Sequence, residues 1–224
     1  MMTRVLFFLV FFTSSLVFSQ KDSLKIGDKY WEDQLYLDIS YNVLTKQPST
    51  IPSSTFSYGI SAGYIKDIPF NRAGRFALGL GLGYNYDSFN HSLKVLKTNT
   101  NVVFSAANNP TSNTLNLHNI EFPIQLRWRT STATTYSFWR IYTGLKVTYN
   151  LSHNFTNVES GVTTSTSSIS NYNKWQMAAT LSAGYSTFNF YVSYGLTPLF
   201  NNAVVGSETL NTSILKLGIS FYFL

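Results

Sequence analysis

The sequence predicts an all-β protein: an eight-stranded antiparallel β-barrel of the outer-membrane type, with long external loops and short periplasmic turns. Three observations predict it. Eight segments alternate apolar and polar residues with a period of two, their connections are long and short by turns, and aromatic residues gather at both ends of the segments.

The alternation is plainest from Phe76 to Asp87. Phe76, Leu78, Leu80, Leu82, Tyr84 and Tyr86 fall on one face, and Ala77, Gly79, Gly81, Gly83, Asn85 and Asp87 on the other. Successive strand side chains point to opposite faces, so this is a strand with one greasy side and one small, polar side. In chain order the other segments are 35–43, 56–64, 119–128, 139–149, 175–185, 188–196 and 215–223. Each has about the length a tilted strand needs to cross a bilayer, and eight is an even count, as single-chain bacterial barrels require.

The connections supply the orientation. Those at 45–55, 88–118, 150–174 and 197–214 are long and rich in Asn, Ser and Thr, whereas 67–75, 130–138 and 186–187 are shorter. Short turns belong to the periplasm, which puts both termini there. The connection 88–118 is open to two readings, a β-ribbon beyond the membrane or a disordered loop. Amphipathic rings settle where hydrocarbon meets headgroup. They fall at the periplasmic ends (Tyr64, Phe76, Trp128, Trp139, Tyr185, Phe188, Phe223) and at the outer ends (Tyr41, Phe56, Tyr84, Tyr86, Tyr149, Trp175, Tyr194). A soluble β-sandwich also alternates, but it has no reason to build such belts.

The N-terminus reads as a secretory signal peptide over residues 1–19. Arg4 leads an apolar run to Phe18, and cleavage is expected between Ser19 and Gln20. That run is too short to span a bilayer comfortably. A periplasmic segment, 20–33, and a barrel domain, 34–224, follow. Cysteine is absent, which excludes disulfides, thiol nucleophiles and a lipoprotein anchor. Charged residues are 12% of the chain, about half the usual share of a soluble domain, while aromatics reach 17%. The formal charge of +6 is scattered along the chain, which argues against nucleic acid as a partner.

Six charged residues, Asp38, Glu121, Arg127, Arg140, Lys146 and Lys216, fall on the face opposite lipid. An eight-stranded barrel is just wide enough for side chains to fill, so they are expected to form a packed polar network. Placing Trp128 near Trp139 sets Glu121 opposite Lys146, and Arg127 opposite Arg140. The second pairing then needs an anion or solvent. The glycines 79, 81 and 83 lack the spacing of a phosphate loop and are expected to let a narrow barrel close. His91, His118 and His153 show no metal-ligand spacing, and no cofactor is expected. Asp87, Ser88 and His91 invite comparison with outer-membrane acyltransferases, but the polar interior lacks a slot for a lipid tail. No enzymatic activity and no small-molecule substrate follow from the residues.

The segment Lys25-Ile-Gly-Asp-Lys-Tyr-Trp-Glu-Asp-Gln34 is longer than a barrel needs before its first strand. It either docks a periplasmic partner through Trp31, Glu32 and Asp33 or folds against the barrel base. Together with Phe56–Tyr64, Lys66-Asp-Ile-Pro-Phe70, His118–Arg129 and Ser137-Phe-Trp-Arg-Ile-Tyr142, it resembles the PorT-type outer-membrane barrels of gliding, Gram-negative bacteria. The resemblance covers nearly the whole chain after residue 19. It implies a non-enzymatic accessory or assembly role in type IX protein secretion and gliding motility, with other secretion-system proteins and outer-membrane lipid as partners. No catalytic residue is attributed to that family. The alternative is a general structural or adhesive barrel whose loops, 160–173 especially, contact surfaces.

Overall fold

A computed structural model describes residues 31–52, 55–71, 74–98, 101–107, 110–130 and 138–223. The expected signal peptide, residues 20–30 and most of the turn 130–138 lie outside these. Thirteen strands follow in order: β1 (Gln34–Thr45), β2 (Tyr58–Pro69), β3 (Phe76–Asn90), β4 (Leu93–Lys97), β5 (Val102–Ala106), β6 (Ser112–Arg129), β7 (Trp139–Glu159), β8 (Val162–Ser167), β9 (Trp175–Tyr185), β10 (Phe188–Gly195), β11 (Val204–Val205), β12 (Glu208–Thr209) and β13 (Ser213–Phe223).

Eight of them close into an antiparallel barrel in the order β1-β2-β3-β6-β7-β9-β10-β13, with β13 returning to β1. The closing seam runs from Leu35 opposite Phe223 to Thr45 opposite Ser213. Closure leaves no stave with an open edge, which a lipid-facing wall demands because hydrocarbon offers no hydrogen-bond partners. The described residues contain no helix long and apolar enough to cross a membrane. The outward set is greasy and uncovered by protein, reaching 79% exposure at Phe190. The inward set is polar and buried.

Four staves outrun the segments expected from the sequence. β2 continues to Pro69, β3 to Asn90, β7 to Glu159, and β6 begins at Ser112. At the long-loop end the hydrophobic pattern inverts. Phe89, Leu115, Leu117 and Phe155 now point inward and are buried, while Asn116 and Asn154 face out. Above the lipid there is only water outside, so the apolar residues turn to the axis. One irregularity accompanies the change, a register shift between His118 and Asn119 that leaves Leu151 unpaired against β6.

The extensions of β3, β6 and β7 carry a folded head. Within the connection 88–118, β4 and β5 pair as an antiparallel ribbon, one of the two readings open for that connection. Residues Leu93, Val95, Phe104, Ile169, Tyr172, Phe200 and Leu210 join the inverted staves in one buried apolar cluster. The head thus has a conventional dry core, stacked on a barrel whose interior is wet in composition.

Candidate functional site

The interior below the head is divided into three charged layers. The middle layer is built on Lys146 of β7. Its Nζ lies 3.2 Å from Asp38 Oδ2 and 3.0 Å from Glu121 Oε1, from β1 and β6. The Tyr36 hydroxyl donates to Glu121 at 2.6 Å, and Ser220 donates to Asp38. Tyr36 fits because Gly83 stands opposite it. A Cβ at Gly83 would overlap the Tyr36 hydroxyl, so this glycine is set by a neighbour's ring rather than by its own backbone. That is a sharper reason than barrel closure alone.

Toward the head, Lys216 of β13 pairs with Asp87 of β3 at 2.7 Å. The Asn42 amide donates to Asp87 at 2.8 Å, and a chain of amides runs from Asn85 through Asn119 to Asn150. The histidine ring of His153 meets Asn150 Oδ1 at 2.8 Å. Asp87 is therefore a lumen residue, and His91 is buried in the head, where its Nδ1 accepts the Leu93 N–H at 3.1 Å. The two do not form a rim pair with Ser88. Among the described residues, no group of three or more His, Asp or Glu is placed to hold a metal.

The third layer closes the short-turn mouth and holds the site residues that sequence reasoning missed. Asp67 accepts from Arg127 at 3.0 Å and bidentately from Arg129 at 3.0 and 2.7 Å. Glu32, which precedes β1, reaches Arg129 at 2.8 Å and Arg140 at 3.7 Å. The Glu32 carbonyl accepts from Arg127 at 3.4 Å, and its N–H donates to Asp67 at 3.3 Å. Arg129, Glu32 and Asp67 are fully buried. Arg127 lies over the Tyr142 ring at 4.7 Å and Arg140 over the Phe138 ring at 4.4 Å.

Two expectations are corrected here. The β6–β7 register is two residues away from the one set by Trp128 beside Trp139. Trp128 faces Ile141, Arg127 faces Tyr142, and Arg140 faces Arg129. The ladder runs on to Thr130 and Trp139, whose backbone groups hydrogen-bond, and this fixes the longer register. A shift of two preserves the faces. Lys146 thus stands opposite Pro123 yet still reaches Glu121 along the diagonal. The anion required between the arginines comes from the chain itself, as Glu32 and Asp67.

Of the two readings open for Trp31, Glu32 and Asp33, docking a partner or folding against the barrel base, Glu32 follows the second: it is turned into the barrel, where it meets three guanidinium groups. Trp31 is 48% exposed, with the Lys66 ammonium 5.0 Å above its ring. Asp33 is held at the rim by Lys66 at 2.6 Å and Tyr64 at 2.7 Å. The signal for Asp67 and Arg129 was present. Continuing the alternation two residues past Ile65 and past Arg127 places both inside.

A closed eight-stranded wall, apolar outside and charged within, defines an outer-membrane barrel of the small, filled kind. The chain belongs to the outer membrane protein beta-barrel domain family, whose model matches residues 18–201. Its place is the outer membrane. Among solved structures it is similar to Ail, the attachment invasion locus protein of Yersinia pestis. That similarity has 11% identity and a TM-score of 0.37, and covers 86% of this chain and 99% of the other. It is also similar to Neisserial surface protein A, at 12% identity and a TM-score of 0.42, over 85% of this chain and 95% of the other. No protein of curated function matches it.

Proposed function

We propose that the protein is a non-enzymatic structural or adhesive barrel whose folded head makes contacts at the cell surface. The long-loop end faces outward and both termini lie in the periplasm, following export on residues 1–19. One observation carries the reading: the staves run past the membrane and carry a head with its own buried core. A stave needs about 9–11 residues to cross a bilayer, yet β6 has 18 and β7 has 21. The surplus serves to hold β4, β5 and β8 rigidly over the lumen. Preorganised surfaces bind with less ordering cost than free loops do, and the exposed hydroxyls of β8, those of Thr163, Ser165 and Ser167, suit polar surface contact.

A second reading is an accessory role in type IX secretion, as in PorT-type barrels. It draws on the sequence resemblance and on Trp31, exposed at the short-turn rim beside the segment that Glu32 anchors. One experiment separates the two. Cells carrying a variant in which a short turn replaces 93–106 are compared with wild type and with a deletion strain. The proposal expects the variant to keep its heat-modifiable gel migration and lose surface attachment, with export of sorting-domain proteins normal in all three. Export lost in the deletion strain and normal in the variant would replace the adhesive reading with the secretory one.

A further inference from the structure

The geometry points to the open edge of β8 as a strand-addition site, taking an extended segment of a partner protein with a carboxylate at the end beside Lys97. The inference rests on the adhesive reading of the head and names the chemistry of its partner. Each of the eight staves pairs on both sides, whereas β8 pairs with β7 alone. Closure removes every edge from the barrel, and the head puts one back.

Register settles which backbone groups are free. Ser160 and Gly161, both at positive φ, form the two-residue turn between β7 and β8, so Glu159 and Val162 are the first hydrogen-bonded pair. Thr164 and Thr166 follow at every second residue in bonding to β7. Thr163, Ser165 and Ser167 turn their N–H and C=O groups to the other side, where no described residue is seen to bond them. β4 does not ladder with that edge. It pairs with β5, and the buried, inward Thr166 donates to the Val95 carbonyl at 3.0 Å, so β4 passes beneath the inner face of β8.

A groove of about 540 Å³ adjoins the edge, lined by 164–167 of β8 and by 96–98. Residues from both faces of β8 line it in unbroken succession, as happens along a strand's edge and not over one face. An added strand occupies about 4.8 Å of width, 10 Å of depth and 3.3 Å of length per residue, roughly 160 Å³. The groove therefore takes about three residues. The usual guards of an edge, a proline or a charge, are missing from Val162–Ser167. Lys97 sets the charge of the occupant. Its Nζ donates to the Ser168 carbonyl at 3.1 Å and has no carboxylate partner among the described residues, unlike Lys94, which pairs with Glu159. Unpaired amides and carbonyls at the strand period, beside one ammonium without a counter-charge, match an acidic, extended backbone.

The test uses the whole barrel in detergent micelles and a fluorescent octapeptide of alternating threonine and valine with an aspartate at one end. Anisotropy should show binding, with slower amide exchange at 163, 165 and 167. Ser165→Pro removes one N–H of the open edge without touching the β7 ladder, and should weaken binding about tenfold while gel migration stays heat-modifiable. Two further peptides need no variant. One with every amide N-methylated, and one with lysine in place of aspartate, should each bind at least about tenfold more weakly. Equal binding of either, equal binding to Ser165→Pro, or no binding of the first octapeptide overturns the assignment. So does a wild-type dimer that Ser165→Pro disperses, because a second copy would then be the occupant. Cell attachment separates this site from the adhesive reading itself. Attachment lost both in Ser165→Pro and on replacement of 93–106 supports the edge; attachment lost only on the replacement leaves the head adhesive and refutes the edge as its site.

Discussion

At the scale of single residues, the short-turn mouth shows how a sparingly charged chain uses its charges. Three arginines from two neighbouring staves would repel one another in a buried mouth. Asp67 and Glu32 separate them, Asp67 accepting from Arg127 and Arg129 and Glu32 forming ion pairs with Arg129 and Arg140. Taking such ions out of water is expensive, so the knot is weak evidence for stability as a whole but strong evidence against losing any one member. Glu32→Ala should leave Arg129 and Arg140 with too little negative charge and cost about 3–5 kcal/mol. Glu32→Gln keeps a hydrogen-bond acceptor and should cost less. Thermal unfolding followed by gel migration ranks the two variants, and proteolysis at the N-terminal side of β1 reports whether the segment has come loose. A Glu32→Ala barrel as stable as wild type, with that segment still protected, would mean that Glu32 does not fasten it.

Elements were legible in the sequence where lipid does the sorting and illegible where it does not. All eight staves show in the segments read from period-two alternation, because hydrocarbon on one side and a polar lumen on the other impose opposite demands on adjacent residues. Beyond the bilayer the demand reverses. The same β6 that shows Ile120, Phe122 and Ile124 to lipid turns Leu115 and Leu117 inward, and a search for greasy outer faces stops at the boundary. The short strands of the head, rich in Thr, Ser and Asn, carry no such signature. Charged partners divided in the same way: Lys146 with Glu121 could be anticipated, whereas the knot depends on a residue outside the barrel that only tertiary structure delivers.

The head has a further element-level property. Burial pushes His91 down to about 4, and burial together with the nearby charges of Lys174 and Lys97 does the same to His153. His153 accepts the Ile169 N–H through Nε2 and stacks on Tyr172, so a proton at Nε2 would cost that bond. Folding favours the neutral rings. Their contribution is whole above the unfolded value near 6.5 and is lost as the pH falls toward 4, on the order of 3 kcal/mol for the fully buried His91 and less for His153, whose ring is partly screened by solvent. Hydrogen exchange over β4, β5 and β8, corrected for its intrinsic pH dependence, should show the head opening more readily at pH 4.5 than at pH 7. His91→Leu should remove about half of that difference, and equal protection at both pH values would count against it.

For the whole molecule, the layers decide what the barrel does not conduct. An eight-stranded wall has room inside for side chains and little else, and here three charged layers and an apolar head occupy that room in series. Opening one end should therefore do nothing by itself. In planar bilayers, wild type is expected to be electrically silent, and so is the variant whose hairpin 93–106 is replaced by a turn, since Lys146, Asp38, Glu121 and Tyr36 still cross the middle. Trimming that layer to alanine at both Tyr36 and Lys146 in the hairpin-replaced variant still leaves the Asp87–Lys216 layer and the short-turn knot, and adding Asp87→Ala and Glu32→Ala weakens those last two barriers. Stable conductance should appear only when all three layers have been breached. A steady wild-type conductance that scales with protein would show that the lumen is not filled from mouth to mouth, and the anchoring role assigned to the barrel would have to give way to transport.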